Sequence, residues 1–194
     1  MRKANVERKT LETDIKLLFQ MDGQGKYEID TGIGFFDHML QLMCKHGFFD
    51  MDLACKGDLA VDNHHTVEDV GIVLGKAFAE ALGDKAGIAR YGTAYTPMDE
   101  SLSMVSVDIS GRPYLHYNVS FQNPYAGKFE TELVEEFFRA FVNHARITLH
   151  IHLICGKNTH HIIESIFKGF GRALDQASAI QGRIHGILSS KGLI

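Results

Sequence analysis

The chain has 194 residues, of which 45% are hydrophobic, and its formal net charge is -4. This length accommodates one hydrophobic core or two small fused halves, and the acidic balance lacks the positive field typical of nucleic-acid binders. There is no apolar run of about 18 residues and no signal-peptide pattern. We therefore expect a cytoplasmic protein that has neither a nucleic acid nor a membrane as a partner.

Eleven histidines are an unusual number for this length, and they cluster. The three cysteines, Cys44, Cys55 and Cys155, show no CxxC spacing and lie within apolar stretches, which predicts buried, reduced thiols. Function is therefore to be sought in the spacing of the histidines.

Hydrophobic patterns in chain order predict strands alternating with helices. The first part of the chain is expected to form a strand, a helix, a strand and a longer helix: 14–21, 35–46, 49–55 and 64–82. The second part is expected to form two strands, a helix, a strand and a longer helix: 103–110, 114–121, 131–145, 147–154 and 160–179. Capping residues, Asp62-Asn63 and Asn158-Thr159, precede the two longer helices.

The two parts of the chain look like duplicates. An offset of 98 pairs His46 with His144 and His38 with Glu136. After a two-residue gap, an offset of 96 pairs the motif His64, His65 and Glu68 with His160, His161 and Glu164. We predict an α+β fold of two repeat halves, 1–92 and 93–194, within one compact domain. Each half is a small β-sheet with two helices on one face, and the helices pack between the two sheets.

The repeated motif His-His-x-x-Glu has the spacing of a metal clamp. Residues i and i+4 of a helix share a face, whereas neighbours point about 100° apart. One histidine of each pair can therefore bind an ion together with the glutamate, and we call these two residues a clamp. The other histidine, which we call the stray histidine, is turned away. If the two helices pack around a pseudo-twofold axis, each clamp receives the stray histidine of the other half. Two sites follow: His160 and Glu164 with His65, and His64 and Glu68 with His161.

The preceding helix of each half supplies one further ligand, His38 to the first site and Glu136 to the second. Imidazoles combined with a carboxylate, with positions left open, favour a catalytic Mn, Fe or Zn ion over a closed structural zinc. A single motif of this length more often belongs to a polar helix surface. Two copies in register, each with a matched upstream partner, favour the metal interpretation.

Basic and hydroxyl-bearing residues that follow glycines at predicted loops or turns are candidate phosphate ligands, because arginine forks and a Ser-Lys turn suit phosphate oxygens. They are Arg90, Arg112, Ser189, Ser190 and Lys191. Lys168 lies one helical turn after Glu164, where it either binds phosphate or forms an ion pair with Glu164. The sequence alone indicates only turn, strand-edge or surface roles for the acidic residues Glu12, Asp99, Glu100 and Asp108.

From about residue 5 to its end, the chain resembles the imidazoleglycerol-phosphate dehydratase family. The matching stretches include "TGIGFFDHML", "GDLAVDNHHTVEDVGIVLG", "DISGRPYL", "GKNTHHIIESIFKGFGRAL" and "SSKG". The resemblance implies a duplicated fold with a helical layer between two sheets. It also implies an octahedral homo-oligomer of 24 subunits built from trimers, with a two-manganese site at subunit contacts.

The resemblance also assigns roles to individual residues. One manganese ion is implied to bind His38, His65, His160 and Glu164, and the other His64, Glu68, His161 and the residue at position 136. Many family members have histidine there, whereas this chain has Glu136, a carboxylate that can still bind manganese. The substrate phosphate is implied to bind Arg90, Arg112, Lys168, Ser190 and Lys191. His46 is implied to line the site, and Glu12 is implied to be the acid-base group.

The implied reaction removes water from imidazole glycerol phosphate to give imidazole acetol phosphate. The proton to be lost lies on a carbon with no adjacent carbonyl. Two manganese ions on the two imidazole nitrogens would stabilise an imidazolate that expels the hydroxyl, with Glu12 moving protons.

Two other functions share some of these features. A di-metal phosphatase also combines His and carboxylate ligands with phosphate-binding cations, although such sites usually have a bridging carboxylate between ions about 4 Å apart. In a non-catalytic alternative, the metals only hold an oligomer together, and the basic residues lie away from the ions.

Overall fold

The computed structural model describes residues 2–193, which contain ten strands and four helices. The first half consists of three strands, a helix, a strand and a long helix. In chain order they are β1 Lys3–Lys9, β2 Thr13–Gln20, β3 Tyr27–Asp30, α1 Gly34–Gly47, β4 Asp50–Gly57 and α2 His64–Leu82.

The second half repeats this order and adds a short hairpin before its first helix. Its elements are β5 Tyr91–Met98, β6 Ser101–Asp108, β7 Tyr114–Asn118, β8 Tyr125–Ala126, β9 Phe129–Glu130, α3 Glu132–Ala145, β10 Thr148–Cys155 and α4 Thr159–Ser178. The hairpin is formed by β8 and β9, which pair antiparallel.

The two main sheets have the same topology, which is the structural sign of duplication. Their strand orders are β1-β2-β4-β3 and β5-β6-β10-β7. In each sheet the last strand of the half runs antiparallel to the second strand and parallel to the third. A parallel pair needs a crossover connection, and α1 and α3 provide it.

The four helices lie between the two sheets and bury their apolar faces against each other and against the strands. Helix α2 packs on β1 and β2 and against α3, whereas α4 packs on β5 and β6 and against α1. Ile15, Leu17 and Phe19 alternate along β2 with more exposed residues, as expected for a strand with one buried face. This architecture confirms the predicted α+β class and the two similar halves.

Glycines at corresponding places in the two long helices allow this packing. A Cβ atom on Gly75 of α2 would lie 2.6 Å from the carbonyl oxygen of Phe141 in α3, and one on Gly171 of α4 would lie 2.3 Å from the carbonyl oxygen of Met43 in α1. The two glycines are related by the offset of 96 that relates the histidine motifs. The repeat therefore extends to the close contacts that set the positions of the helices.

The sequence patterns predicted all four helices to within one residue at each end, but missed β1, β3, β5 and the β8–β9 hairpin. The predicted division at 92/93 falls inside β5, and residues 83–90 connect α2 to that strand. Cys44 and Cys55 are buried as expected, whereas Cys155 is exposed because it lies at the end of β10, beyond the core. None of the helices within 2–193 is long and apolar enough to cross a membrane.

Candidate active site

Three predicted ligands from two helices converge where α1 crosses α4. The Nε2 atom of His38 lies 2.9 Å, and the Nε2 atom of His160 3.0 Å, from the same carboxylate oxygen, Oε1 of Glu164. Asn158 caps α4 by accepting a hydrogen bond from the backbone N–H of His160 at 2.9 Å. The cap and the one-turn spacing therefore place His160 and Glu164 side by side.

The geometry of this cluster suits a divalent cation. The ligand atoms of His38, His160 and Glu164 all lie within 4.8 Å of one another. Bonds of about 2.1 Å at right angles around an octahedral ion would put neighbouring ligand atoms about 3 Å apart, close to the separations found here. Glu164 is only 7% exposed, so a bound cation would compensate for the burial of its charge. The donor set therefore suits a divalent cation.

Lys168 and His46 border this cluster. Nζ of Lys168 donates a hydrogen bond of 2.5 Å to Oε2 of Glu164, so the predicted ion pair is present. Burial opposes ionisation of Glu164, but the hydrogen bonds from Lys168, His38 and His160 lower its pKa to about 2. Burial and the charges of Lys168 and Arg172 lower the pKa of His46. A deprotonated carboxylate is the form that binds metal.

The corresponding clamp on α2 is looser. The Nε2 atom of His64 lies 3.8 Å from Oε2 of Glu68, and both side chains are about half exposed. Glu136, on α3, lies with its Oε1 atom 3.9 Å from Nε of Arg139. Within residues 2–193, only His38, His160 and Glu164 form a group of three or more metal-binding side chains this close together, so Glu136 completes no such group with the α2 clamp.

The two stray histidines are turned away from their own clamps, as helix geometry predicts, and each contacts two carboxylates. In His65, Nδ1 lies 3.0 Å from Asp58 and Nε2 lies 3.7 Å from Glu12. In His161, Nδ1 lies 2.8 Å from Glu100 and Nε2 lies 3.8 Å from Asp99. These hydrogen bonds, with Asp58 and Glu100 respectively, raise the pKa values of the two histidines.

The predicted exchange of stray histidines between the halves is not formed within one chain. In the part of the chain that the structure describes, the close ligand group around Glu164 does not include His65. Helix packing explains this. Helix α2, which carries His65, packs against α3, whereas α4, which carries Glu164, packs against α1. Each chain therefore presents two clamps and, separately from them, two histidines held by acidic residues.

The predicted phosphate ligands, apart from Lys168, lie together. Arg90, Arg112, Ser189, Ser190 and Lys191 line a cavity of about 450 Å³. Asp108 joins its two arginines: it accepts a hydrogen bond of 2.7 Å from Nε of Arg90 and lies 3.8 Å from Nη2 of Arg112. A pocket with two guanidinium groups, hydroxyls and an ammonium group is chemically suited to a phosphate.

The sequence-based interpretation missed three acidic residues that orient site residues. Asp58 and Glu100 bind the stray histidines, and Asp108 links the two arginines. Glu100 and Asp108 appeared to be turn or strand-edge residues. One sequence signal was available: Glu12 and Glu100 each directly precede the second strand of their half and are followed by a hydroxyl residue, Thr13 or Ser101, which places the two glutamates at equivalent hairpins.

Comparison with known proteins gives one consistent result. Residues 31–174 match the model of the imidazoleglycerol-phosphate dehydratase family. The imidazoleglycerol-phosphate dehydratase of Caldanaerobacter subterraneus subsp. tengcongensis is 60% identical over 194 residues, the full length of both chains. The corresponding enzyme of Clostridium kluyveri is 58% identical over the full length of both chains.

Solved structures agree. The imidazoleglycerol-phosphate dehydratase of Staphylococcus aureus matches with a TM-score of 0.84 and 46% identity, over 92% of this chain and 99% of that one. IGPD from Pyrococcus furiosus, solved in complex with (S)-C348, matches with a TM-score of 0.85 and 37% identity, over 97% of this chain and 100% of that one. Similarity of sequence and of fold over nearly the whole length leads to one conclusion: the chain is an enzyme that belongs to the imidazoleglycerol-phosphate dehydratase family.

Proposed function

We propose that the chain converts imidazole glycerol phosphate to imidazole acetol phosphate at a site that holds two manganese ions. Dehydration in histidine biosynthesis is the activity of its family. The observation that carries the metal part of the proposal is the convergence of His38 and His160 on the buried Glu164. Two imidazole nitrogens and a carboxylate oxygen form an incomplete coordination shell, which leaves positions for further ligands and for substrate.

The metal ligands follow from the two clamps and the two stray histidines. His38, His160 and Glu164 would hold one ion together with a His65, whereas His64, Glu68 and Glu136 would hold the other together with a His161. When bound, the two ions would act as Lewis acids on the substrate imidazole. The carboxylate at position 136 replaces the histidine of many relatives and adds a negative charge to the second site.

Completion of each clamp requires a second copy of the chain. His65 and His161 lie with carboxylates of their own half, and the Nε2 atom of each is 3.7 or 3.8 Å from the second of these carboxylates. We place these Nε2 atoms at the clamps of neighbouring subunits in a 24-subunit octahedral assembly. The active site would then form only where chains meet.

The remaining site residues would bind the phosphate and move protons. Arg90, Arg112 and Lys191, with Ser189 and Ser190, would hold the substrate phosphate in the cavity that they line. Lys168 would reach the same substrate from the clamp, and His46 would line its path. Oε1 of Glu12 lies 3.7 Å from Nε2 of His65, the atom that would bind the metal, and from there Glu12 would exchange a proton with substrate.

An assay that separates the possible reactions tests the proposal. Metal-stripped and manganese-restored protein would be incubated with imidazole glycerol phosphate, while ketone, free phosphate and particle mass are followed on the same samples. Manganese-dependent ketone without phosphate release is the expected result. Phosphate release would indicate a di-metal phosphatase, and a manganese-dependent assembly with no product would indicate metals that only hold subunits together.

A second experiment tests whether each metal site is formed by ligands from two chains. H65A and E164A chains would be inactive separately, because each lacks a ligand of the same ion. Dissociated, mixed and reassembled with manganese, they would form some contacts that pair an intact His65 with an intact Glu164, and activity would return. A mixture that stays inactive, alongside a mixture of parent chains that regains activity, would contradict the shared site.

A further inference from the structure

Both stray histidines have the same arrangement around the imidazole ring. Nδ1 of His65 lies 3.0 Å from Oδ2 of Asp58, and Nδ1 of His161 lies 2.8 Å from Oε2 of Glu100. A neutral imidazole carries one N–H, and a carboxylate can only accept it. The proton is therefore held on Nδ1, and the lone pair of the ring is on Nε2, the atom through which His38 and His160 face Glu164.

Hydrogen bonds to one carboxylate oxygen of Glu100 hold its side chain in place independently of His161. Its Oε1 atom accepts hydrogen bonds from the backbone N–H of Asn158 at 2.7 Å and of Lys157 at 3.2 Å, and from the hydroxyl of Ser101 at 3.2 Å. One carboxylate oxygen is thus bound to the loop that starts α4, and the other is left for the ring. A side chain with this many partners restricts the orientation of the histidine it contacts.

The two halves reach this arrangement by different routes. Asp58 follows β4, in the loop before α2, whereas Glu100 lies in the hairpin between β5 and β6. The offsets of 98 and 96 relate position 58 to Gly156 and Ile154, so the second half has no acidic residue there. A carboxylate at Nδ1 is present in both halves although duplication alone does not supply it, which favours a role in ligand orientation over inherited packing.

The equivalent hairpin glutamates have consequently taken different positions. Glu100 contacts Nδ1 of its histidine, whereas Glu12, which precedes β2 as Glu100 precedes β6, lies 3.7 Å from Nε2 of His65. Because Asp58 already accepts from Nδ1 in the first half, Glu12 lies on the Nε2 side of the ring, which would face the metal.

We propose that Glu100 and Asp58 are positioning residues, which hold His161 and His65 in the tautomer and orientation that present Nε2 to the metal ions. This inference rests on the proposed two-metal function. Neither residue would touch substrate or metal. Each would act through the histidine beside it, so that its loss weakens metal binding before any chemistry occurs.

Glu100→Gln and Asp58→Asn test this with little change of shape. In the Gln variant, an amide oxygen can still accept from Asn158 and Lys157, but the amide NH2 group then faces Nδ1 and drives the ring proton to Nε2. We expect about 10- to 100-fold weaker manganese affinity, the range typical of residues that hydrogen-bond to a metal-bound histidine. Free Mn²⁺ measured by electron paramagnetic resonance reports this without any assay of activity.

Asp22→Asn is the matched control, since it removes a carboxylate from an ion pair with Arg2 that includes none of the proposed ligands. It is expected to bind manganese like the parent. Melting temperatures of all variants in chelator separate positioning from folding: the E100Q and D58N proteins should melt within a few degrees of the control. A drop in metal-free melting temperature that accounts for the weaker binding in both variants would overturn the inference.

The outcomes also distinguish this inference from the function on which it rests. If the parent binds manganese and H161A weakens binding, while E100Q and D58N bind like the parent, the positioning role is wrong and the two-metal function stands. If the parent shows neither manganese binding nor manganese-dependent activity, the proposed function itself fails.

Discussion

The Nε2 atom of His160 lies 3.0 Å from the Oε1 atom of Glu164, one helical turn further along α4. That contact joins the sequence motif to the tertiary structure, because His38 reaches the same oxygen from α1 at 2.9 Å. Nothing in the spacing of the motif specifies which helix faces it. The packing of α1 on α4 does, and it makes a pair of neighbours on one helix into part of a metal site.

Replacement of Glu164 by Gln should abolish manganese binding at the first clamp. The amide keeps the shape but loses the charge on which two histidines and Lys168 converge. We expect the affinity for manganese at this site to fall by more than about 100-fold, beyond the range for residues that only hydrogen-bond to a metal ligand, and activity to fall with it. Equilibrium dialysis against Mn²⁺ would measure the number of ions per chain. His116→Ala is the control, because that histidine lies on β7 with its ring among those of His150 and His152. Two ions per chain in E164Q would contradict the assignment.

Glu12→Gln should lower turnover while leaving substrate binding nearly intact. A general acid-base group contributes typically about 10²- to 10⁴-fold to rate, so kcat should fall by that range with KM within a few-fold of the parent. Steady-state kinetics on manganese-loaded protein would measure both values. Normal manganese content in the variant is the necessary control, since Glu12 lies near His65. Near-normal turnover in E12Q would remove the role given to Glu12.

Arg112→Ala and Asp108→Asn should both weaken substrate binding. The first change removes a guanidinium group from the cavity, and the second replaces the carboxylate that orients Arg90 by a neutral amide. Loss of a hydrogen bond to a charged group costs about 1.5–3 kcal/mol, so kcat/KM should fall by about 10- to 100-fold, chiefly through KM. Lys16→Ala, on an exposed position of β2, is the charge-matched control for R112A. An unchanged KM in R112A would place the phosphate elsewhere.

Manganese affinity should fall as the pH is lowered, starting above the ordinary histidine value of about 6.5. Hydrogen bonds with Asp58 and Glu100 raise the pKa values of His65 and His161, and protonated imidazole cannot bind metal. The stability of the metal-free protein depends on pH in the opposite direction. The contacts with Asp58 and Glu100 stabilise the folded chain below the unfolded pKa of the histidines, and this stabilisation is lost as the pH rises through the raised pKa values. Mn²⁺ titrations between about pH 5.5 and about pH 8 should show the onset at lower pH in E100Q than in the parent. The same onset in both proteins would contradict the electrostatic explanation.

Gly171→Ala should destabilise the fold, because the added Cβ would lie 2.3 Å from the Met43 carbonyl oxygen, which a backbone cannot avoid by rotation. Overpacking typically costs about 1–3 kcal/mol. Gly34→Ala is the control, since a Cβ there meets no atom within 4 Å. Thermal unfolding in chelator would measure both. Equal melting temperatures for the two variants would show that α4 and α1 can separate without cost.

Much of the fold could be predicted from the sequence because periodicity is a local property. The motif and the matched offsets correctly predicted α2 and α4, the duplicate halves and the helices between two sheets. Asn158 caps α4 as predicted, whereas the side chain of Asn63 makes no capping hydrogen bond at α2 and donates to Glu130 instead. Short strands with mixed patterns were not predicted. Strand β5 was not predicted either, because it contains Pro97 and alternate residues along it are exposed. β3 forms through parallel pairing with β4, a contact distant in sequence. β1 and β5 form hairpins with the neighbouring β2 and β6, but the residues that they bury include small ones such as Ala4, Gly92 and Ala94, which give a weak apolar pattern.

The site divides in the same way. The sequence by itself determined which side chains can share a helical face, because i and i+4 positions are related by the helix geometry alone: His160 with Glu164, His64 with Glu68, and one stray histidine beside each. Only the tertiary structure decided which partners those side chains meet. It brought His38 to Glu164 across two helices, gave Glu100 to His161 and Asp58 to His65, and linked Arg90 to Arg112 through Asp108. Carboxylates that look alike in sequence differ in role because packing, not spacing, sets the few ångströms over which a hydrogen bond or a metal ligand acts.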